Sequence, residues 1–185
     1  CLERGIEETI AQDDPDLILT LDYDTVFTKR DVALLIQLMA CHPEADAIAP
    51  VQAMRGSSKP LLSMAVPEGQ GEVAVPRETF SADLTPIRTA HFGLTMLRTG
   101  KLKPLQKPWF RSEPAPDGTW GEGRRDADIA FWQKWHDAGN TLMLANRVAV
   151  GHIETMILWP GEDLVTRPQN YTDWRREGAP KDAWK

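Results

Sequence analysis

Two carboxylates, Asp22 and Asp24, stand one residue apart directly after the apolar run from Leu17 to Leu21. Leu-Ile-Leu-Thr-Leu is rich enough in branched apolar side chains to form a buried strand, so the acidic pair falls where that strand should end. Carboxylate oxygens are hard ligands. Magnesium or manganese takes one or two of them and completes its shell with water and phosphate. The strand ends of an open α/β sheet are also where ligands usually sit. The purely structural alternative makes Asp22 and Asp24 polar residues that close a strand and favour the start of the next helix.

The neighbouring elements follow from periodicity. Leu2, Ile6 and Ile10 recur at helical spacing, and Asp13-Asp14-Pro15 stops that helix before the strand. After Asp24, Thr28-Lys29-Arg30-Asp31 resembles a capping box, with Val32, Leu35, Ile36 and Met39 on one helical face and His42-Pro43 at its end. Asp46 to Gln52 reads as a second buried strand, so the order β, α, β predicts a parallel pair with a right-handed crossover. From Met54 to Pro86 glycines and prolines interrupt every period, and loops with edge strands, such as Leu61 to Val66, are expected. Thr89 to Leu97 reads as a strand. Trp109 to Gly123 reads as a loop and is the best candidate lid. Asp128 to Ala138 is an amphipathic helix, with Ile129, Phe131, Trp132 and Trp135 near one side and Gly139 as its stop. Strands at Leu142 to Leu144 and Val148 to Val150 lead to His152, and the chain beyond Pro160 is expected to be an extended polar tail.

The 185 residues suit one domain of ordinary size, and 42% hydrophobic with 26% charged residues is the composition of a soluble protein. No apolar run approaches the roughly 20 residues that span a bilayer. A net charge of −6 argues against a surface that coats nucleic acid, so no nucleic-acid partner is expected. Cys1 and Cys41 make neither a disulfide framework nor a Cys-x-x-Cys site, and a reducing, cytoplasmic setting is the expectation.

Several of these pieces resemble a family. Leu21-Asp22-Tyr23-Asp24-Thr25, then Phe27-Thr28 and a helix, then Phe92-Gly93-Leu94-Thr95-Met96-Leu97-Arg98, then Lys107-Pro108-Trp109-Phe110, then Asp126-Ala127-Asp128-Ile129-Ala130-Phe131, and finally Val150-Gly151-His152-Ile153 are similar in order and spacing to GT-A glycosyltransferases. The likeness is to their bacterial and phage-type branch. It implies an α/β fold with a mixed sheet flanked by helices, residues 1–160 forming the metal and acceptor side of a catalytic domain and 161–185 a tail. It also implies transfer of a sugar from a nucleotide-diphosphate donor, UDP- or GDP-linked, to an unidentified acceptor hydroxyl, with Mn2+ or Mg2+ as cofactor.

The resemblance assigns roles residue by residue. Asp24 would ligate the ion, Asp22 would contact ribose or metal-bound water or join the ligands, and His152 looks like the late metal ligand. A core histidine after a strand is the alternative for His152. Asp128 matches the acidic residue that opens the acceptor-side helix and takes the proton of the attacking hydroxyl. The family often has two adjacent acidic residues there, whereas Ala127 separates Asp126 from Asp128, so both stay open, as does a helix-capping role for either. Arg124 and Arg125 would reach the diphosphate, or else be solvated surface. Trp109, Phe110 and Trp120 would form an apolar platform under a sugar ring, or else be core, which is the favoured reading for Trp132 and Trp135. Phe92-Gly93 would let backbone approach substrate closely, or else mark a bulge.

A rival class fits the same acidic pair. Leu21-Asp22-Tyr23-Asp24-Thr25-Val26 also resembles the first motif of haloacid-dehalogenase-like phosphatases, with Asp22 as nucleophile, Asp24 as general acid and magnesium required. No later strand ending in Ser or Thr and no clearly placed Lys supports it. A non-catalytic transferase fragment is the third reading. Under the transferase reading the base-binding first strands, about 80 to 110 residues against ordinary domain size, have no counterpart here. The sheet edge they would leave exposed is expected to pair with a second copy or to be poorly behaved, giving a dimer or an altered sheet.

Overall fold

The computed structural model describes residues 2–52, 62–63, 77–121 and 123–184. Cys1 and most of the Gly- and Pro-rich stretch from Met54 to Pro76 lie outside them. Helix α1 (Leu2–Asp13) buries Ile6 and ends where Asp14 turns to φ 43°, a conformation that Asp tolerates better than most residues. Strands β1 (Leu17–Leu21) and β2 (Thr25–Val26) follow, separated by Asp22, Tyr23 and Asp24. Helix α2 (Lys29–Cys41) starts as its sequence predicts, since the Asp31 carboxylate accepts from the Thr28 backbone N–H and hydroxyl, both at 2.7 Å. Its inner stripe is Val32, Leu35 and Met39. Ile36, expected on that stripe, is 51% exposed, because one residue of helix past Leu35 rotates it about 100° away.

Strands β3 (Ala47–Gln52), β4 (Leu62–Ser63), β5 (Leu84–Pro86), β6 (Thr89–Ala90) and β7 (Leu94–Arg98) come next. The single strand expected over Thr89 to Leu97 is therefore two, broken at His91-Phe92-Gly93. Then come a short helix α3 (Thr99–Leu102), helix α4 (Ala127–Asp137), the long strand β8 (Leu142–His152), β9 (Met156–Pro160), β10 (Thr166–Asn170) and helix α5 (Tyr171–Glu177). Gly139 at φ 77° ends α4 as expected. Ile129 leaves the apolar side of α4 and is 47% exposed, whereas Phe131, Trp132 and Trp135 are buried.

The main sheet runs β1-β7-β3-β8-β2, with β5 also on β8. Among the described strands only β3 and β8 pair in parallel. Strands β1 and β3 do run in the same direction, but they are not neighbours as the β-α-β order predicts, because β7 lies between them, antiparallel to both. Burial explains the order. Residues 94–97 of β7 are all buried and need cover on both faces, whereas β1 alternates, with Leu19 and Leu21 exposed, and suits the edge.

Strand alternation divides the core in two. Ile18, Ala47, Ala49, Leu97, Leu142 and Leu144 meet α1 and α4 on one face. Ile48, Leu94, Met96, Val148 and Val150 meet α2 on the other. The chain is thus a mixed α/β protein with a mixed sheet flanked by helices. Beyond Pro160 the expected extended tail is structured. Strand β10 pairs antiparallel with β9, and α5 is capped by Asn170, whose side chain accepts from the Asp173 N–H at 2.7 Å. Among the described residues no helix is long and apolar enough to cross a membrane.

Candidate functional site

The carboxyl ends of β1, β3 and β8 and the amino end of β7 meet at one rim of the sheet. Asp22-Tyr23-Asp24 turns the chain there, with the Thr25 N–H donating to the Asp22 carbonyl at 3.2 Å. The chain then runs back as β2 against the end of β8, in a register that sets Thr25 opposite His152 and Val26 opposite Gly151. The Ile153 N–H donates to the Asp24 carbonyl at 2.8 Å and locks that register. In consequence Asp24 and His152, 128 positions apart, lie side by side, with Nε2 3.3 Å from Oδ2. Both side chains are largely buried, at 7% and 11% exposure. Asp22, on the same turn, is half-buried, while Tyr23 between them is 94% exposed.

Gly93 closes the rim from the other side. Its carbonyl accepts from the Asp22 N–H at 3.3 Å. A Cβ on Gly93 would stand 2.8 Å from both Gln52 Oε1 and Thr25 Oγ1, so the close backbone approach predicted at Phe92-Gly93 is real, but toward protein side chains. Gln52 and Thr25 are buried polar residues that sequence reasoning missed. Thr25 Oγ1 has no hydrogen-bond partner among the described residues. A position just past the acidic pair was the available signal for Thr25. None marked Gln52, which joins the rim only through the pairing of β3 with β8.

Asp126 and Asp128 separate clearly. Asp126 occupies the N-cap position of α4 and pairs with Arg124 at 3.1 Å. Asp128, one residue inside the helix, stands 3.7 Å from His91 Nδ1. His91 was also missed, although it directly precedes Phe92-Gly93. Arg125 bonds Glu113 at 2.8 Å, and the backbones of the same two residues bridge. Both arginines are therefore engaged at the foot of the candidate lid. Within the lid, the Asp117 carboxyl is held below its ordinary range by the Thr119 backbone N–H and hydroxyl.

The aromatic platform needs correction. Trp109 is 2% exposed and its indole donates to the Leu105 carbonyl, so no ring face is left for a sugar. Phe92 is 4% exposed, stacked on Trp132 at 5.0 Å and edge-on to Phe110 and Phe131. Phe110 stacks on Phe131 at 4.7 Å against the same core. Such rings take these places because burial of a large apolar surface outweighs anything they gain at a wet rim. Trp120 alone of the three expected platform residues is exposed, at 61%, beside a shallow cavity of about 310 Å³ that it shares with Lys107, Arg111 and Lys134.

The larger of the two cavities, about 660 Å³, lies away from the acidic rim, at the opposite end of the sheet, where β1 begins and β7 ends. Its cations are taken up by the fold, with Arg98 donating to the Met39 and Ala45 carbonyls, Lys101 3.2 Å from Asp46, and Lys103 paired with Asp14. At the Asp24 rim, the three ligands expected from sequence are in the structure one close pair, Asp24 and His152, with Asp22 on the adjoining turn. Among the described residues no three His, Cys, Asp or Glu side chains are gathered closely enough to hold an ion by themselves.

No protein-family model and no curated protein matches the sequence. The fold is similar to the crystal structure of A197 from STIV, with a TM-score of 0.56 and 14% identity over 91% of this chain and 74% of that one, a likeness that speaks for the fold alone.

Proposed function

We propose that this chain carries the metal and acceptor side of a GT-A-type, nucleotide-sugar-dependent glycosyltransferase. The observation that carries the reading is the Asp24–His152 pair at the rim where the parallel strands end. Two ligands about 2.1 Å from one ion and at right angles would stand about 3.0 Å apart. The observed 3.3 Å is near that span and wider than the roughly 2.7–2.9 Å of a charge-assisted hydrogen bond. A buried carboxylate is a donor for manganese or magnesium when phosphate and water complete the shell, and a neutral imidazole beside it favours manganese over the strictly oxygen-bound magnesium. Thr25 Oγ1, buried at the same rim, supports the reading, since an unpaired buried hydroxyl costs about 1–3 kcal/mol unless a ligand or water satisfies it.

When bound, the ion would neutralise charge building on the departing diphosphate. The chain's own residues do the rest. Asp24 and His152 hold the cation side, Asp22 stands ready for ribose or metal-bound water, and Asp128 lies on the acceptor side at the start of α4. The phosphatase reading makes Asp22 the central group, whereas the histidine brought across the sheet meets Asp24. Titration calorimetry with UDP and GDP, each with and without manganese, tests the proposal. Metal-dependent binding of one nucleotide is expected, and Asp24→Ala should weaken it about 100-fold or more while the thermal transition stays put. Unchanged manganese dependence in that variant would remove Asp24 from the site.

A further inference from the structure

The connector between β6 and β7 is held from several sides. The Ala90 carbonyl accepts from the Trp132 indole at 2.7 Å and the His91 carbonyl from the Thr95 hydroxyl at 2.6 Å. The Phe92 carbonyl accepts from the Thr20 hydroxyl at 2.9 Å and the Gly93 carbonyl from the Asp22 N–H at 3.3 Å. Four successive carbonyls are thus fixed by α4, β7, β1 and the acidic turn, and Trp132, Thr95 and Thr20 are themselves buried. Buried carbonyls must be paired. What this clamp leaves outside is the His91 imidazole, 41% exposed, with Nδ1 3.7 Å from Asp128 Oδ2. Among the described residues Asp128 is the one carboxylate within 4 Å of that ring. At 3.7 Å the two are in ion-pair range and not hydrogen-bonded, and catalytic hydrogen bonds often tighten only once substrate binds. Gly93, two residues on, borders the Thr25–Gln52 side of the rim, and the Cα atoms of 91 and 93 are at most about 7 Å apart.

We propose that His91, backed by Asp128, takes the proton from the acceptor hydroxyl, an inference that rests on the glycosyl-transfer reading. The acceptor O–H gives its proton to Nε2 of the neutral imidazole as its oxygen bonds to the anomeric carbon. The bond from that carbon to the diphosphate oxygen breaks, and its electron pair leaves on the diphosphate. The proton on Nδ1 stays toward Asp128, whose carboxylate offsets the imidazolium charge. Asp128 then acts through His91, as a positioning residue, and the rigid connector keeps the ring in place without a bound substrate.

Histidine-selective NMR on the intact chain reads the pair with no substrate present. Asp128→Asn should move the His91 ring-nitrogen resonances while those of His42 and His136 hold theirs. An unmoved His91 overturns the pairing. Turnover of UDP-glucose and GDP-mannose with manganese reads the role. His91→Gln should leave UDP or GDP binding intact, lower kcat about 100-fold and flatten the acid limb of its pH profile. Unchanged kcat with intact nucleotide binding overturns the role of His91 alone. Failure of the unaltered chain to bind either nucleotide overturns the transferase reading and the proton-accepting role with it, while the ring resonances still report on the pairing.

Discussion

Strands β7 and β9 are both five residues long and antiparallel to a neighbour, yet four residues of β7 are buried and none of β9 is. Strand β7 sits between β1 and β3 with helices over both faces, and the rim carrying Asp24 and His152 is an extension of that packed sheet. Strands β9 and β10 form a separate ribbon whose Leu158, Leu164 and Val165 are exposed. Polar contacts organise it instead. Arg167 donates to Asp182 at 2.6 Å and to Asp163 at 2.7 Å, and the Trp159 indole donates to Gln169 at 3.0 Å. Pairing alone does not make a strand rigid. Burial on both faces does, and that is where side chains meant to hold a fixed geometry are placed.

Removing core behind the rim should give the largest effect. Trp132→Ala deletes a fully buried indole that packs on Phe92 and donates to the Ala90 carbonyl. The expected loss is about 3–5 kcal/mol, a large part of the roughly 5–15 kcal/mol that holds an ordinary domain together. Denaturant unfolding followed by far-UV circular dichroism measures it. A loss under 1 kcal/mol would mean that the aromatic cluster does not support the sheet.

Gly93→Ala should act next, and closer to the acidic rim. The new methyl would lie 2.8 Å from Gln52 Oε1 and Thr25 Oγ1. The amide end of Gln52 is able to swing aside, but Thr25 is β-branched, buried and opposite His152 in the β2–β8 register, so its hydroxyl is not. Overpacking of this kind costs about 1–3 kcal/mol. Under the proposed transferase reading it should also weaken manganese-dependent UDP or GDP binding at temperatures where the fold is intact. Gly5→Ala is the matched control, since its methyl meets nothing within 4 Å in α1, and a gain of about 0.5–1 kcal/mol is expected there. Equal behaviour of the two variants would dissociate Gly93 from the rim.

Much of the frame was legible because it depends on local period. Helices α1, α2 and α4, the Thr28–Asp31 cap and the Gly139 stop all follow from residues within one or two turns of one another. Asp22, Asp24 and His152 were marked by their order along the chain. The resemblance also set Asp24 and His152 at one ion, but the register of β2 against β8 that brings them together is one that no local pattern encodes. Gln52 and His91 were invisible for the same reason. Trp109 and Phe110 misled, since an aromatic in a Gly- and Pro-rich stretch looks the same whether it faces a ligand or the core. Here the Glu3 carboxylate of α1 accepts from both of their backbone N–H groups, at 2.9 and 3.3 Å, and draws the segment inward. The residues after Pro160 lack a core period because the ribbon has no core, and polarity was mistaken for absence of structure.

Acid should separate the two regions by the smallest of these effects. The carboxyls of Asp163 and Asp182 lie below their ordinary value of 3.8, chiefly through the hydrogen bonds from Arg167. A carboxyl depressed in the folded state stabilises fully above its unfolded value, and that contribution is lost as pH falls through the lower folded one. Arg167 stays charged throughout, so the change belongs to the two acids. At the end of strand β7, Arg98 instead donates to the Ala45 and Met39 carbonyls, which do not titrate. Between pH 6 and pH 3, amide exchange at residues 156–177 should therefore quicken relative to residues 94–98, and Arg167→Gln should remove most of the ribbon's difference between the two pH values. Because both carboxylates are exposed and Arg167 is only half-buried, the shift is expected to be modest and to shrink in added salt. If ribbon and sheet instead lost protection together at every pH, the two would be one cooperative unit, and the contrast between a core-backed rim and a self-supporting ribbon would fail.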